Sequence, residues 1–206
     1  MTLEDIYTGE KREKCEFYEG YTFMCVRSLS PTAVPSALET ESVYIVVCDQ
    51  YIITIHEHAE SLPTPWLLQR LAKMSKRLQI NSSWIMWTIL DQIIDQYIPI
   101  VSAMDEECEI IDELVLTIHS SDHTDMLTYV VDTPVGYTAT NHLISRRIWH
   151  ARKNVTQLQR LLTVKNVVLR NLVGSKERSD AFAISADTLL YLNDIHDQCV
   201  PLAAAF

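Results

Sequence analysis

The chain has 206 residues, 48% apolar and 21% charged, with 17 Lys and Arg against 27 Asp and Glu for a net charge of −10. That length suits one or two domains with a buried core. The four glycines (Gly9, Gly20, Gly136 and Gly174) lie too far apart for a GxGxxG or GxxxxGK[ST] loop, which excludes the usual nucleotide cradles. The acid excess argues against nucleic acid as a partner and makes divalent cations the natural counter-charge.

Residues 15–29 are aromatic and β-branched with partial alternation, which predicts a strand or a hairpin bending near Glu19-Gly20. Two prolines and small residues make 30–41 a loop. Residues 42–48 and 51–56 read as a second hairpin around Asp49-Gln50. Thr64 and Pro65 open a predicted helix over 65–78, with Trp66, Leu67, Leu71, Met74 and Leu78 at helical spacing. Asn81 or Ser82 caps a predicted helix over 82–119, with a bend at Pro99. Residues 120–137 read as a loop with or without a short helix. A long helical pattern follows over 138–173 and stops at Gly174-Ser175, and a last helix is predicted from about 179. The organisation is a small sheet followed by four helices, two of them long.

Five cysteines (15, 25, 48, 108 and 199) form no CxxC or CxxH pair and read as reduced thiols, not a disulfide framework or zinc site. The acidic N-terminus does not resemble a signal peptide, and no run of 18 apolar residues predicts a membrane span.

Charge is segregated along the chain. Between Arg77 and Arg146 there is no Lys or Arg but eleven acids, beginning with Asp91 and Asp95. Residues 146–178 then hold nine bases and one acid, Glu177. After Arg178 come Asp180, Asp187, Asp194 and Asp197 with no base. Antiparallel helices pairing a basic member with acidic neighbours account for much of this. The last helix is different. Asp180, Asp187 and Asp194 are spaced by seven and share a stripe, with Asp197 near the same face. Copies of such a helix packed together would repel unless protons, bases or cations neutralised the carboxylates, and magnesium and calcium favour such oxygens. His56 and His58 flank Glu57 at strand spacing. They cap the end of a hairpin or offer a zinc or cobalt pair. The basic run Arg146–Lys153 either pairs with the acidic helix or meets anionic headgroups.

Four segments in order resemble the CorA-type magnesium channels, in a eukaryotic branch. Leu3-Glu4-Asp5-Ile6 followed by Cys15–Phe23 is similar to the family's "LEDV…VEFFENYVF" opening. The Val43–His56 hairpin is like its paired strands. Ser83–Tyr97 resembles "LLYSLIDALVDDYF", and Tyr191–Gln198 resembles "YFRDVYDH". The resemblance implies an α/β (α+β) fold in which a small β-sheet is sandwiched by helices (α/β/α) and leads into long antiparallel helices and a C-terminal stalk helix. On that reading residues 1–178 are a cytosolic regulatory domain. Residues 179–206 begin a stalk that stops before the membrane spans and before the Gly-Met-Asn pore tripeptide. The implied role is magnesium sensing and gating. The implied assembly is a homopentamer that faces the cytoplasm and meets the membrane only through the missing spans. Asp194 matches a stalk aspartate of an intersubunit cation site, and Asp91 matches an aspartate of a second one. Asp187 and Asp197 share the stripe. Glu39 and Glu41 are the nearest partner acids, because Ser28–Ser36 contains none, and Gln198 stands where many members have His. Magnesium is the implied ion, with cobalt or another divalent cation as the alternative. Two further readings stay open: the cytosolic domain of a zinc- or cobalt-transporting relative, and a helical interaction scaffold without a specific metal. No nucleophile elbow or HExxH motif supports an enzyme.

Overall fold

The structure, a computed structural model, describes residues 2–30, 38–58, 62, 64–75, 80–120, 134–174 and 184–204, without the side chains of 118–120 and 134–141. The element order is α1 (Thr2–Thr8), β1 (Lys14–Tyr18), β2 (Tyr21–Leu29), β3 (Thr40–Cys48), β4 (Ile52–His56), α2 (Thr64–Met74), α3 (Ser82–Asp95), α4 (Tyr97–Ser120), α5 (Pro134–Gly174) and α6 (Ala186–Ala204). The four strands form an antiparallel meander in the order β1-β2-β3-β4. Of the two readings for 15–29 the hairpin is present, and so is the predicted second hairpin. Tyr18 pairs with Tyr21 across Glu19-Gly20, and Val47 pairs with Ile52 across the second turn. Gly20 has φ +83°, a left-handed conformation that a Cβ would penalise, so glycine suits the bend.

Strand alternation divides the sheet into two faces. Met24, Val26, Val43, Ile45 and Val47 point into the main core, where they meet Ile89 and Ile93 of α3, Leu158, Leu162 and Leu169 of α5, and Leu192 and Ile195 of α6. Phe23, Cys25 and Tyr44 point the other way and are covered by Ile6 of α1 with Tyr18 and Tyr21. The sheet is therefore held between helices, as the resemblance implies, with a thick layer on one side and one short helix on the other. The loop after α1 is fastened by a single carbonyl. Glu10 O accepts from Tyr44 Oη at 3.0 Å, Ser42 Oγ at 3.3 Å and Cys25 Sγ at 3.5 Å.

Several helix boundaries differ from the sequence pattern. The span 82–119 is two helices, not one bent helix. Pro99 has no N–H for the carbonyl of Asp95, and its ring crowds that carbonyl, so the ladder ends at Asp95 and restarts at Tyr97. Gln96 at the joint accepts from Ser28 Oγ at 2.7 Å, which ties the break to β2. Of the two expected caps Asn81 is the one used, accepting from the Trp84 N–H at 2.8 Å. The helix predicted over 138–173 begins earlier, at Pro134, a residue suited to the first helical position. The last helix begins at Ala186, later than the predicted 179. Ser185 accepts from the Thr188 N–H at 3.2 Å and caps it there. The predicted helix over 65–78 is described to Met74. Asp180, most of the loop 30–41 and most of the ambiguous stretch 120–137 lie outside the described residues.

A buried ion pair fastens α5 to the sheet. Lys165 occupies a place in the apolar stripe Leu158, Leu162, Leu169, Leu172 and is 2% exposed. Its ammonium donates to Glu13 Oε1 and to the carbonyl of Arg27, and it sits 5.0 Å from the centre of the Tyr97 ring. Tyr97 Oη donates to the same carbonyl at 3.0 Å, and Glu13 Oε1 also accepts from the Arg27 N–H at 2.6 Å. Among the described residues no helix is long and apolar enough to cross a membrane.

Candidate divalent-cation site

The six carboxylates singled out from sequence fall on three elements and the segment entering β3. On α6, Thr188, Leu192, Ile195 and Cys199 recur at helical spacing and are buried. That packing turns Asp187, Asp194 and Asp197 outward, and all three are exposed. Leu190, at 65%, and Tyr191, at 40%, are exposed on the same helix. Among the described residues Asp187 and Asp194 have no ion-pair or hydrogen-bond partner, while Asp197 Oδ1 lies 3.5 Å from His196 Nδ1. Seven residues of helix span roughly 10 Å, so Asp187 and Asp194 cannot share one ion within a single chain.

Asp91 lies on the outer side of α3 and is half-buried. Its Oδ2 accepts from Arg70 Nη1 of α2 at 3.1 Å. Burial, then Asp95, hold its carboxyl above the usual range, with Arg70 acting in the opposite direction. The guanidinium of Arg70 also lies 5.1 Å from the Trp66 ring and 5.4 Å from the Trp87 ring. Trp87 in turn lies 4.9 Å from Tyr191 of α6 and 5.2 Å from Trp84. This aromatic row joins α2, α3 and α6 and places the neighbourhood of Asp91 beside the outward face of α6. Sequence reading missed Arg70. The available signal was the four-residue spacing in both Trp66…Arg70 and Trp87…Asp91, which stacks each pair on one helix face.

Glu39 is exposed in the segment entering β3, where its carbonyl accepts from the Ser30 N–H at 2.9 Å. Glu41, in β3, meets His58 Nδ1 at 3.0 Å. His56 Nδ1 faces the carbonyl of His58 at 2.7 Å, so the two imidazoles close the hairpin end. Among the described residues no three His, Cys, Asp or Glu side chains converge closely enough to hold a metal. The donors are hard oxygens of the kind magnesium takes, but each chain presents them singly. The predicted pairing of the basic and acidic helices is present between α5 and α4: Arg147 grips Glu107 in a two-pronged contact at 2.9 Å.

Fold and surface together describe a mixed α/β domain that presents carboxylates outward on its last helix. The family model for "CorA-like Mg2+ transporter protein" matches residues 1–204, and the chain belongs to that family. A candidate metal ion transporter of Schizosaccharomyces pombe is 29% identical over 205 residues, covering 99% of this chain and 23% of the relative. The magnesium transporter ALR1 of Saccharomyces cerevisiae is 26% identical over 175 residues, covering 82% of this chain and 18% of the relative. The chain thus spans less than a quarter of these relatives. Among solved structures, the soluble domain of CorA from Methanocaldococcus jannaschii superposes with a TM-score of 0.63 at 15% identity, over 100% of this chain and 74% of that one. The cytoplasmic domain of ZntB from Vibrio parahaemolyticus gives 0.54 at 13% identity, over 99% and 74%. At those identities the likeness is one of fold.

Proposed function

We propose that this chain is the regulatory, magnesium-sensing part of a divalent-cation transporter and that Asp194 is its principal ion ligand. The supporting observation is the outward face of α6. Asp187 and Asp194 are exposed and unpaired among the described residues on a helix whose other face is sealed into the core. A chain that presents carboxylates singly completes a site only when a second copy brings another ligand, so sensing and assembly are one event. Without cation the facing aspartates repel. With cation they are bridged and the assembled state is favoured. Sensing at cellular levels needs only millimolar affinity, about −4 kcal/mol. Asp91 and Glu41 are weaker candidates, because Arg70 and His58 already stand against them. Whichever divalent ion the whole transporter carries, these carboxylates would be regulatory ligands and not the conduction path.

The test is thermal melting of the chain with millimolar magnesium against monovalent salt of equal ionic strength, with mass read by light scattering on the same samples. Magnesium should raise both the midpoint and the mass. Asp194→Asn should abolish the magnesium-specific part and leave the midpoint in monovalent salt within about 0.5 kcal/mol of the parent, as befits an exposed residue. An unchanged magnesium response in that variant would overturn the assignment.

A further inference from the structure

Away from those carboxylates, α5 carries a second surface feature. Leu158, Leu162, Leu169 and Leu172 of α5 pack into the main core, and Arg147, nearer its start, meets Glu107 of α4. Between α4 and α5 the chain leaves a groove of about 890 Å³. Met104 and Leu114 on one wall, and Ile144, Ala151 and Val155 on the other, give it an apolar floor. Ala103 on α4 and Ala151 on α5, both with short side chains, also line it. The size falls in the range of about 300–1,000 Å³ typical of small-molecule sites.

The rim carries two arginines, only one of which is paired among the described residues. Arg146 and Arg147 both line the groove. Arg147 is engaged by both carboxylate oxygens of Glu107. Arg146 has no ion-pair partner among the described residues. His150 completes this end, with its ring 4.9 Å from that of Trp149. A hydrocarbon floor beneath a guanidinium that has no ion-pair partner among the described residues matches a ligand with an apolar chain and one negative head. A simple inorganic anion leaves the floor wet, and a neutral amphiphile leaves Arg146 without its bidentate partner.

We propose that the α4–α5 groove binds a long-chain carboxylate, with the hydrocarbon on Met104, Leu114, Ile144 and Val155 and the carboxylate on Arg146. This is independent of magnesium sensing through α6. The probe is oleate labelled with 13C at its carboxyl carbon. It is added to the full chain below its aggregation threshold and followed by NMR and calorimetry. One saturable site per chain is expected. Arg146→Gln, at an exposed position, should keep the melting temperature and weaken binding about tenfold, the value of one charge-assisted hydrogen bond. Oleyl alcohol should bind less tightly than oleate and be indifferent to that substitution. Filling the floor from either wall, with Ala151→Phe or Ala103→Leu, should abolish binding, and whichever variant melts like the parent carries that test. Absent binding, several non-saturating equivalents, or equal oleate affinity in the parent and Arg146→Gln would overturn the proposal. So would a groove closed by a second copy, seen as a doubled mass that oleate neither competes with nor reverses.

Discussion

Lys165 is the residue whose surroundings matter most. An ammonium in an apolar stripe loses its hydration, and that burial opposes its charge. Tyr97 and Glu13 more than offset the penalty, so its ionisation moves above the ordinary lysine range. A raised native value means the pair's contribution is full below about pH 10.4 and is lost as pH rises through the native ionisation. Lys165→Met should cost about 3–5 kcal/mol in urea unfolding, because Glu13 is then buried without a counter-charge. Adding Glu13→Gln should recover much of that loss, and both variants should lose the lysine's share of the alkaline fall in stability. Equal unfolding midpoints for the parent and Lys165→Met would show the pair to be dispensable. The thiols follow the same logic of burial. Cys15 and Cys25 are pushed up to about 12 and Cys199 to about 11 by burial, so at neutral pH they are protonated and unreactive. All five cysteines are free. A native-state titration with a thiol reagent at pH 7.5 should therefore modify Cys48 and Cys108 first, with the other three following only on unfolding. Rapid labelling of Cys25 or Cys199 in the folded chain would contradict this.

At the scale of elements, caps and breaks decide where helices stand. Asn81 and Ser185 each accept from the N–H three residues on, and each sets the start of a helix that carries candidate residues, Asp91 on α3 and Asp194 on α6. Asn81→Ala should lower stability by about 1 kcal/mol. Asn81→Asp, which keeps an acceptor, should restore most of it. A cap that merely filled space would be replaced equally well by alanine in the melting experiment. Gln96 at the joint of α3 and α4 keeps right-handed helical dihedrals, so buried Ile93, Tyr97, Val101 and Met104 follow one helical stripe through it. On that stripe the Tyr97 hydroxyl reaches the Arg27 carbonyl that Lys165 also uses.

The whole molecule ties its outward face to its core. The row Trp66, Arg70, Trp87 and Tyr191 runs from α2 across α3 to α6, so the helix bearing Asp194 is braced by a cation–aromatic stack that ends in the Asp91 carboxylate. Asp91 thus already faces an arginine of its own. Asp91→Asn should leave the magnesium response intact, in contrast to Asp194→Asn. It should also change the pH profile. Asp91 ionises above the ordinary carboxylate range in the native state, so its stabilising contribution is full below about pH 3.9 and fades as pH rises through the native value. The variant lacks that term, so its stability relative to the parent should grow from pH 4 to pH 7 in urea unfolding. A constant difference across that interval would mean that Asp91 does not titrate in this way.

The amino-acid sequence by itself determined the hairpin over 42–56, a helix cap at Asn81 or Ser82, the free thiols, the family, and the stripe of acids along the last helix. All of these are local patterns: alternation, cap chemistry and helical spacing act over a few residues and are legible one segment at a time. Tertiary structure alone decided which charges find partners. Asp91 and Asp194 look alike as acids on helical surfaces. One faces Arg70, 21 residues earlier on α2, and the other faces solvent. Lys165 read as one more base in a basic segment, and only the packing of α5 on the sheet brought Glu13 to it across the chain. An ion pair or a groove is a coincidence of surfaces from distant segments. Its energy depends on distance and burial, and neither exists until the chain has folded.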